Sequence, residues 1–307
     1  MEVTIIAGCG GGYDLFCGLS FYHELFNKHN QNNIILINYS FTEKEIINNS
    51  HNCKKLIDKC YVIDHTQIND QKYDYFPEHY LSKCLNKKIY MLIDYPTINQ
   101  IIDSYKSIIA DSIGDINLID QLNIYLVDGG SDSLMTGKEK ELGTPVEDIM
   151  HMKAVHELKL NNLNINKYLC ILGANVDVGH LILVNDINDR IKHLENKCLI
   201  SKKILQKGND DTKFYIDIFE KCNPRNSIVN SLIIASILGH RGYYTPEHLK
   251  TRFTDSIVDL SEMTCTFYIF DLNGVIEENI YYQQIDNNMN ENEVDIIIGK
   301  INGYVVY

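Results

Sequence analysis

Three times in this chain a short apolar run ends in a loop built from glycine and aspartate. The loops are Gly8-Cys9-Gly10-Gly11-Gly12-Tyr13-Asp14, Asp128-Gly129-Gly130-Ser131-Asp132 and Gly173-Ala174-Asn175-Val176-Asp177-Val178-Gly179. Each run has the length of a β-strand, and a helical pattern follows each loop. Strands that alternate with helices predict an α/β fold: a mostly parallel sheet with helices on both faces, Rossmann-like in outline. If the three strands are neighbours, their loops line one cleft. Glycine lets the backbone approach a bound group closely, and aspartate supplies hydrogen-bond acceptors or metal ligands.

Strand patterns cover residues 3–7, 34–38, 61–63, 90–93, 124–127 and 169–172. Helical spacing runs over 14–29, where Leu15, Leu19, Tyr22, Leu25 and Phe26 recur every three or four residues, and over 97–110, 145–160 and 180–194. The first strand, its helix and 34–38 form a β-α-β unit, for which a right-handed crossover is the rule. Residues 217–239 read as largely helical with a break at Asn223-Pro224, and 286–293 read as an exposed loop. Residues 265–271 read as a further strand, either an added C-terminal edge or part of the same sheet. No Pro-, Ser- or Gly-rich linker and no repeat interrupts the pattern, so a single α/β domain over 1–307 is expected.

Composition narrows the partners. With 307 residues and 45% hydrophobic content the chain has enough apolar side chains for one large core or two modest ones. Its formal net charge of -13, with no Lys/Arg-rich run, argues against nonspecific nucleic-acid binding. No apolar segment of about 20 residues exists to span a bilayer, and no signal-peptide pattern opens the sequence. A soluble, cytoplasmic or otherwise intracellular protein without membrane partners is the expectation. The nine cysteines contain no C-x-x-C pair, against a zinc ribbon or a disulfide framework. Cys9, inside the first loop, is a weak nucleophile candidate because no base is evident beside it.

In the first loop, Gly10, Gly11 and Gly12 are candidates for cradling a phosphate or ribose at a helix start, against the alternative of a tight structural turn. Two details weaken a dinucleotide fingerprint: Tyr13 stands where close helix packing favours Gly or Ala, and no acid follows the second strand. No Gly-Lys-Ser/Thr is present to form a Walker loop. In the second loop Asp128 and Asp132 are candidate catalytic or metal-ligating residues, with Gly129 and Gly130 lining the ligand. Thr144, Pro145 and Glu147 read as an N-cap, a first helical position and nearly a capping box. Asp14, Asp128, Asp132 and Asp177 together suit Mg²⁺ or Ca²⁺. Without a metal, one acid of raised pKa acts as general base while another orients a sugar hydroxyl. After the apolar helix 228–238, Arg241 is a candidate clamp for an anion and His240 for proton transfer, although a basic residue there equally satisfies helix carbonyls. His65, His151 and His156 read as structural or solvated.

These residues resemble the family catalogued as "domain of unknown function 1152". The resemblance rests on the glycine turn with Asp14, on Val-Asp-Gly-Gly-Ser-Asp-Ser-Leu at 127–134 and on Gly143-Thr144-Pro145-Val146-Glu147-Asp148. Gly173 with Asp177, Gly239-His240-Arg241-Gly242-Tyr243 and Phe270-Asp271-Leu272 add to it. It implies a shared α/β fold and carries no assigned activity. The residues themselves favour a hydrolase or transferase acting on a nucleotide, sugar phosphate or related polar metabolite at the carboxyl ends of the strands. The alternatives are a non-catalytic small-molecule sensor and a nicotinamide-dependent oxidoreductase. Mg²⁺ is the candidate cofactor, a small molecule the expected partner, and the oligomeric state is open.

Overall fold

A computed structural model describes residues 1–67, 71–139, 143–176, 184–222, 227–250 and 258–302. Its strands are β1 (Glu2–Gly8), β2 (Ile34–Ser40), β3 (Cys53–Ile57), β4 (Cys60–Ile63), β5 (Ile89–Ile93), β6 (Gln121–Asp128), β7 (Ile165–Ile171), β8 (Leu199–Ile204), β9 (Gly242–Tyr243), β10 (Asp259–Leu260) and β11 (Thr266–Asp271). Nine of them form one sheet in the order β3-β4-β5-β2-β1-β6-β7-β11-β8. The five central strands, β5 to β7 in that order, are parallel to one another, whereas β3, β4, β11 and β8 join through antiparallel pairings. The fold is thus α/β with a large mixed sheet, parallel in its core. The 265–271 segment is not an added edge: β11 lies between β7 and β8, antiparallel to both.

The helices are α1 (Asp14–Cys17), α2 (Leu19–Lys28), α3 (Lys44–Asn49), α4 (Pro77–Leu85), α5 (Ile98–Ile113), α6 (Val146–Glu157), α7 (Val184–Lys197), α8 (Asp210–Cys222), α9 (Ile228–Ile237), α10 (Leu272–Ile276) and α11 (Glu291–Asn302). Alternation along the strands sorts side chains between the two faces of the sheet. Val3, Ile5, Ala7, Ile37 and Leu126 face a core that contains Ile101, Tyr105 and Ile108 of α5 and Ile149 and Met152 of α6. Ile6, Leu36, Val127 and Leu172 face another that contains Leu15 and Phe16 of α1, Leu19 and Tyr22 of α2, and Tyr215 and Phe219 of α8. Each fully buried Leu, Ile or Phe contributes about 1.5–3 kcal/mol by leaving water.

The predicted helix over 14–29 is two helices, divided at Gly18. A β-carbon at Gly18 would lie 2.9 Å from Ile6 Cγ2 and 3.1 Å from Val127 Cγ2, so glycine there lets the chain pack directly on the sheet. α6 starts one residue later than expected. Pro145 is its N-cap with no side-chain cap, so the capping role given to Thr144 and Glu147 is not realised. The 286–293 segment is partly helical, since α11 begins at Glu291. The break expected at Asn223-Pro224 and the start of the 180–194 helix lie outside the described residues. No described helix is long and apolar enough to cross a membrane.

Candidate functional site

The strand order places the glycine-acid loops side by side. β1 pairs in parallel with β6, ending at Gly8 opposite Val127, and β6 pairs with β7, ending at Asp128 opposite Ile171. Two further bonds extend the ladder into the loops: Cys9 N–H donates to Val127 O (2.8 Å) and Leu172 N–H to Asp128 O (3.1 Å). After β1 the chain turns to α1 on one face of the sheet, and after the neighbouring β6 it turns to α6 on the other. That is the switch point at which open α/β sheets leave a crevice beyond their carboxyl ends.

Three carboxylates meet in that crevice. Asp14 opens α1, Asp128 closes β6, and Asp148 sits in the first turn of α6; a ligating oxygen from each lies within 4.8 Å of the other two. Asp128 and Asp148 are buried, and Asp14 is half-buried. The neighbouring backbone is fitted to them. Gly10 N–H donates to Asp14 Oδ2 at 2.9 Å, and a β-carbon on Gly10 would lie 2.9 Å from that oxygen and 3.1 Å from Asp148 Oδ2. A β-carbon on Gly129 would lie 2.9 Å from Asp14 Oδ1 and from Cys17 Sγ. Asp128 accepts from the Ser133 hydroxyl and, at 3.4 Å, from its N–H.

Asp148 is 5% exposed, and its Oδ1 has no hydrogen-bond partner among the described residues. Burial, followed by the charges of Asp132, Asp14 and Glu147, holds its carboxyl well above the usual carboxylate range; only the Cys9 thiol pulls the other way. Asp132 stands beside this group rather than in it. Its Oδ2 accepts from Thr144 N–H (3.1 Å) and from the Thr144 hydroxyl (3.4 Å), and burial raises its pKa against those hydrogen bonds. Burial raises Glu147 too, with Asp132 and Asp295 adding to it.

The glycine turn is held from below. Gly12, at φ +72°, donates its N–H to Tyr39 O (3.1 Å), and its carbonyl accepts from Asn38 Nδ2 (2.9 Å). Asn38 also donates to the buried Glu78 of α4. The amides of Gly10 and Gly12 are thus engaged by Asp14 and Tyr39, and α1, which follows the turn, is only four residues long. Phe41 covers Gly11: its ring atoms would lie as close as 1.9 Å to a β-carbon there. Burial, and then Asp148 and Asp128, push the Cys9 thiol far above the usual value, which disfavours the thiolate a nucleophile needs.

Of the other candidates, Gly129 and Gly130 are buried in the second loop. Asp177 lies outside the described residues. The N-terminal part of α9 packs on the site, with Asn230 Nδ2 reaching Tyr13 O (3.4 Å) and Val229 lying beside Gly129. His240 and Arg241 follow the other end of that helix, roughly 15 Å away at 1.5 Å per residue. Arg241 Nη1 donates to Ser236 O (2.6 Å) and His240 O (2.7 Å), and His240 stacks on Tyr244 with ring centroids 3.8 Å apart. Both residues therefore finish the helix and do not join the carboxylates.

Asp148 escaped the sequence reading. Its position just after Thr144-Pro145 made it look like an ordinary first-turn acid, which the helix dipole alone explains. The signal available was its place in the first turn of the helix that follows the second glycine-acid loop, with His151 one turn on.

The family model described as "Protein of unknown function (DUF1152)" matches residues 46–304. The chain belongs to this family. Asp128, Asp132 and Asp148 fall within the matched residues, whereas β1, the glycine turn and Asp14 precede them. No curated protein matches the chain. No solved structure matches it either.

Proposed function

We propose that Asp14, Asp128 and Asp148 bind a divalent cation, Mg²⁺ in the first instance. We propose further that the protein is a cation-dependent hydrolase or transferase acting on a phosphorylated metabolite. The observation that carries this reading is Asp148, a buried carboxylate with an oxygen that has no partner, and only acidic charged neighbours, among the described residues. Burying charge without a counter-charge is costly, and a cation shared by the three groups removes that cost. The spacing suits such an ion. Around Mg²⁺, oxygens at about 2.1 Å stand roughly 3 Å apart at right angles and about 4 Å apart across the ion. Ca²⁺ spreads them further.

A cation there also resolves a charge problem. A phosphate entering a site of three carboxylates, on a chain of net charge -13, is repelled unless an ion bridges them. Rossmann-like sheets hold ligands in this crevice, which supports a small substrate over a macromolecule. Asp132, close by and of raised pKa, is the general base of this reading. In hydrolysis a water oxygen forms the new bond to phosphorus, the ester P–O bond breaks, the water's proton passes to Asp132, and the leaving oxygen takes a proton from solvent. In transfer, an acceptor hydroxyl replaces the water.

Calorimetric titration with Mg²⁺, Mn²⁺ and Ca²⁺ tests the cation. Release of inorganic phosphate from a panel of phosphomonoesters and nucleotides tests the reaction. Saturable cation binding lost in Asp148→Asn supports the site, whereas no heat with any of the three ions rejects it. Binding without turnover points to a sensor that uses the same crevice.

A further inference from the structure

Beside the glycine turn lies an open cleft of about 980 Å³, near the upper end for small-molecule sites. Its lining includes four aromatic residues, Phe41, Tyr73, Tyr75 and Tyr80, together with Lys72. From these we infer that the cleft is a nucleobase subsite, so that the phosphorylated substrate proposed above is a nucleotide. The inference rests on that reading for the position of the phosphate.

The geometry joins the two sites through consecutive residues. Gly10 abuts the carboxylates of Asp14 and Asp148, Gly11 lies under the Phe41 ring, and a β-carbon at Gly12 would lie 3.4 Å from the Tyr75 hydroxyl. Neighbouring α-carbons are about 3.8 Å apart. The aromatic wall and the carboxylates thus face one short stretch of backbone. A nucleotide has the matching shape, with a flat π-system and a phosphate separated by one ribose.

The wall is set in advance. The Tyr80 hydroxyl accepts from Tyr73 N–H (2.7 Å) and donates to Tyr73 O (2.8 Å), which fixes the ring against its neighbour. Tyr73 packs edge-on against Phe76 with centroids 5.2 Å apart, and Tyr75 against Tyr13 at 5.9 Å. Phe41 differs: it is 48% exposed, so much of its ring meets water beside Gly11. A large exposed ring over a glycine next to polar chemistry is a stacking surface, because every base presents a π-face. A phosphosugar would leave most of the aromatic surface unused. Lys72, Glu43 and Asp74 also line the cleft, a donor for ribose or phosphate oxygens beside two acceptors for ribose hydroxyls or base N–H groups.

The test measures binding of AMP, UMP and ribose 5-phosphate to the full chain by calorimetry in saturating Mg²⁺, for wild type and Phe41→Ala. Loss of one stacked base is worth roughly 5- to 150-fold in affinity. The expected result is at least tenfold tighter binding of one nucleotide than of ribose 5-phosphate, with that preference lost in Phe41→Ala while Mg²⁺ binding is kept. Since Phe41 is half-exposed, its removal leaves the fold intact, and an unchanged circular dichroism spectrum checks this. Equal affinity for nucleotides and ribose 5-phosphate overturns the subsite, as does a preference that survives Phe41→Ala. If Mg²⁺ binds and no nucleotide does, the subsite fails and the cation reading stands. If a nucleotide binds through Phe41 and no cation binds, the cation reading fails and the subsite stands.

Discussion

His151 Nδ1 lies 3.0 Å from the carbonyl oxygen of Cys9, so helix α6 and the glycine turn are tied across the core. A carbonyl only accepts, so Nδ1 carries the proton, and Nε2 accepts from the Tyr105 hydroxyl at 2.7 Å. One turn before His151 on the same helix is Asp148, and one residue after Cys9 is Gly10. The imidazole therefore sets the distance between a carboxylate and the turn that receives it.

This imidazole is neutral. Burial lowers its pKa to about 4, against about 6.5 in an unfolded chain. As pH falls, the unfolded chain takes up the proton first. The stability is present above about 6.5 and lost between there and about 4, amounting to about 3 kcal/mol over the window. Urea denaturation at pH 7 and pH 4.5 should show that loss in wild type and a shallower one in His151→Gln. Equal slopes would mean the ring is charged or exposed.

Asp148 has the opposite sign. Its folded pKa is raised, so ionisation opposes folding at neutral pH and protonation relieves the strain as pH falls toward the unfolded value of 3.8. Asp148→Asn should accordingly raise the melting temperature of the metal-free protein, by about 2–4 °C for each kcal/mol recovered. It should also weaken cation binding by more than about 100-fold, since loss of an outer-shell partner alone costs 10–100-fold. A destabilised variant that still binds the cation would contradict both halves. In wild type, cation binding should release protons and weaken below neutral pH.

The glycines make a separate prediction. Gly129→Ala places a methyl 2.9 Å from Asp14 Oδ1, and Gly10→Ala places one 2.9 Å from Asp14 Oδ2. Each should cost about 1–3 kcal/mol through overpacking and weaken cation binding at least about tenfold by displacing Asp14. Gly208→Ala, with nothing within 4 Å of the new methyl, is the control and should stay within about 0.5 kcal/mol of wild type. Urea titration and calorimetry on the three variants decide the matter.

The parallel core was legible because β1, β2, β5 and β6 are buried almost throughout and each of its five strands, β7 at its C-terminal end, carries a short apolar run. The two edge strands, β3 and β8, were not. β3 carries Lys54 and Lys55 and β8 carries Lys202 and Lys203, charged residues that protect a sheet edge and erase the strand pattern. The site was half legible. Asp14 and Asp128 follow directly from their loops, but whether a glycine turn cradles a phosphate or seats a carboxylate depends on where the Asp14 side chain points. Nothing in the spacing of Gly10, Gly11 and Gly12 encodes that. His240 and Arg241 looked equivalent to the other loop residues until α9 put a helix length between them and the carboxylates.

A thiol pair supplies the last prediction. Cys84 Sγ, at the exposed end of α4, lies 3.3 Å from Cys222 Sγ, buried at the end of α8. The Cys222 hydrogen bond, and then Lys221 and Lys83, lower the Cys84 thiol to about 7, so a thiolate is available at neutral pH. Hydrogen peroxide should oxidise the pair: one peroxide removes two hydrogens, leaving a disulfide and two waters. The same helix α4 carries Glu78, which holds Asn38 and through it the carbonyl of Gly12. A covalent tie from α4 to α8 thus acts on an element that supports the turn. Thiol titration under denaturing conditions should fall from nine to seven after mild peroxide, reversed by dithiothreitol and absent in Cys84→Ser. Peptide mapping should place the bridge between residues 84 and 222, and loss of two thiols elsewhere would refute the assignment.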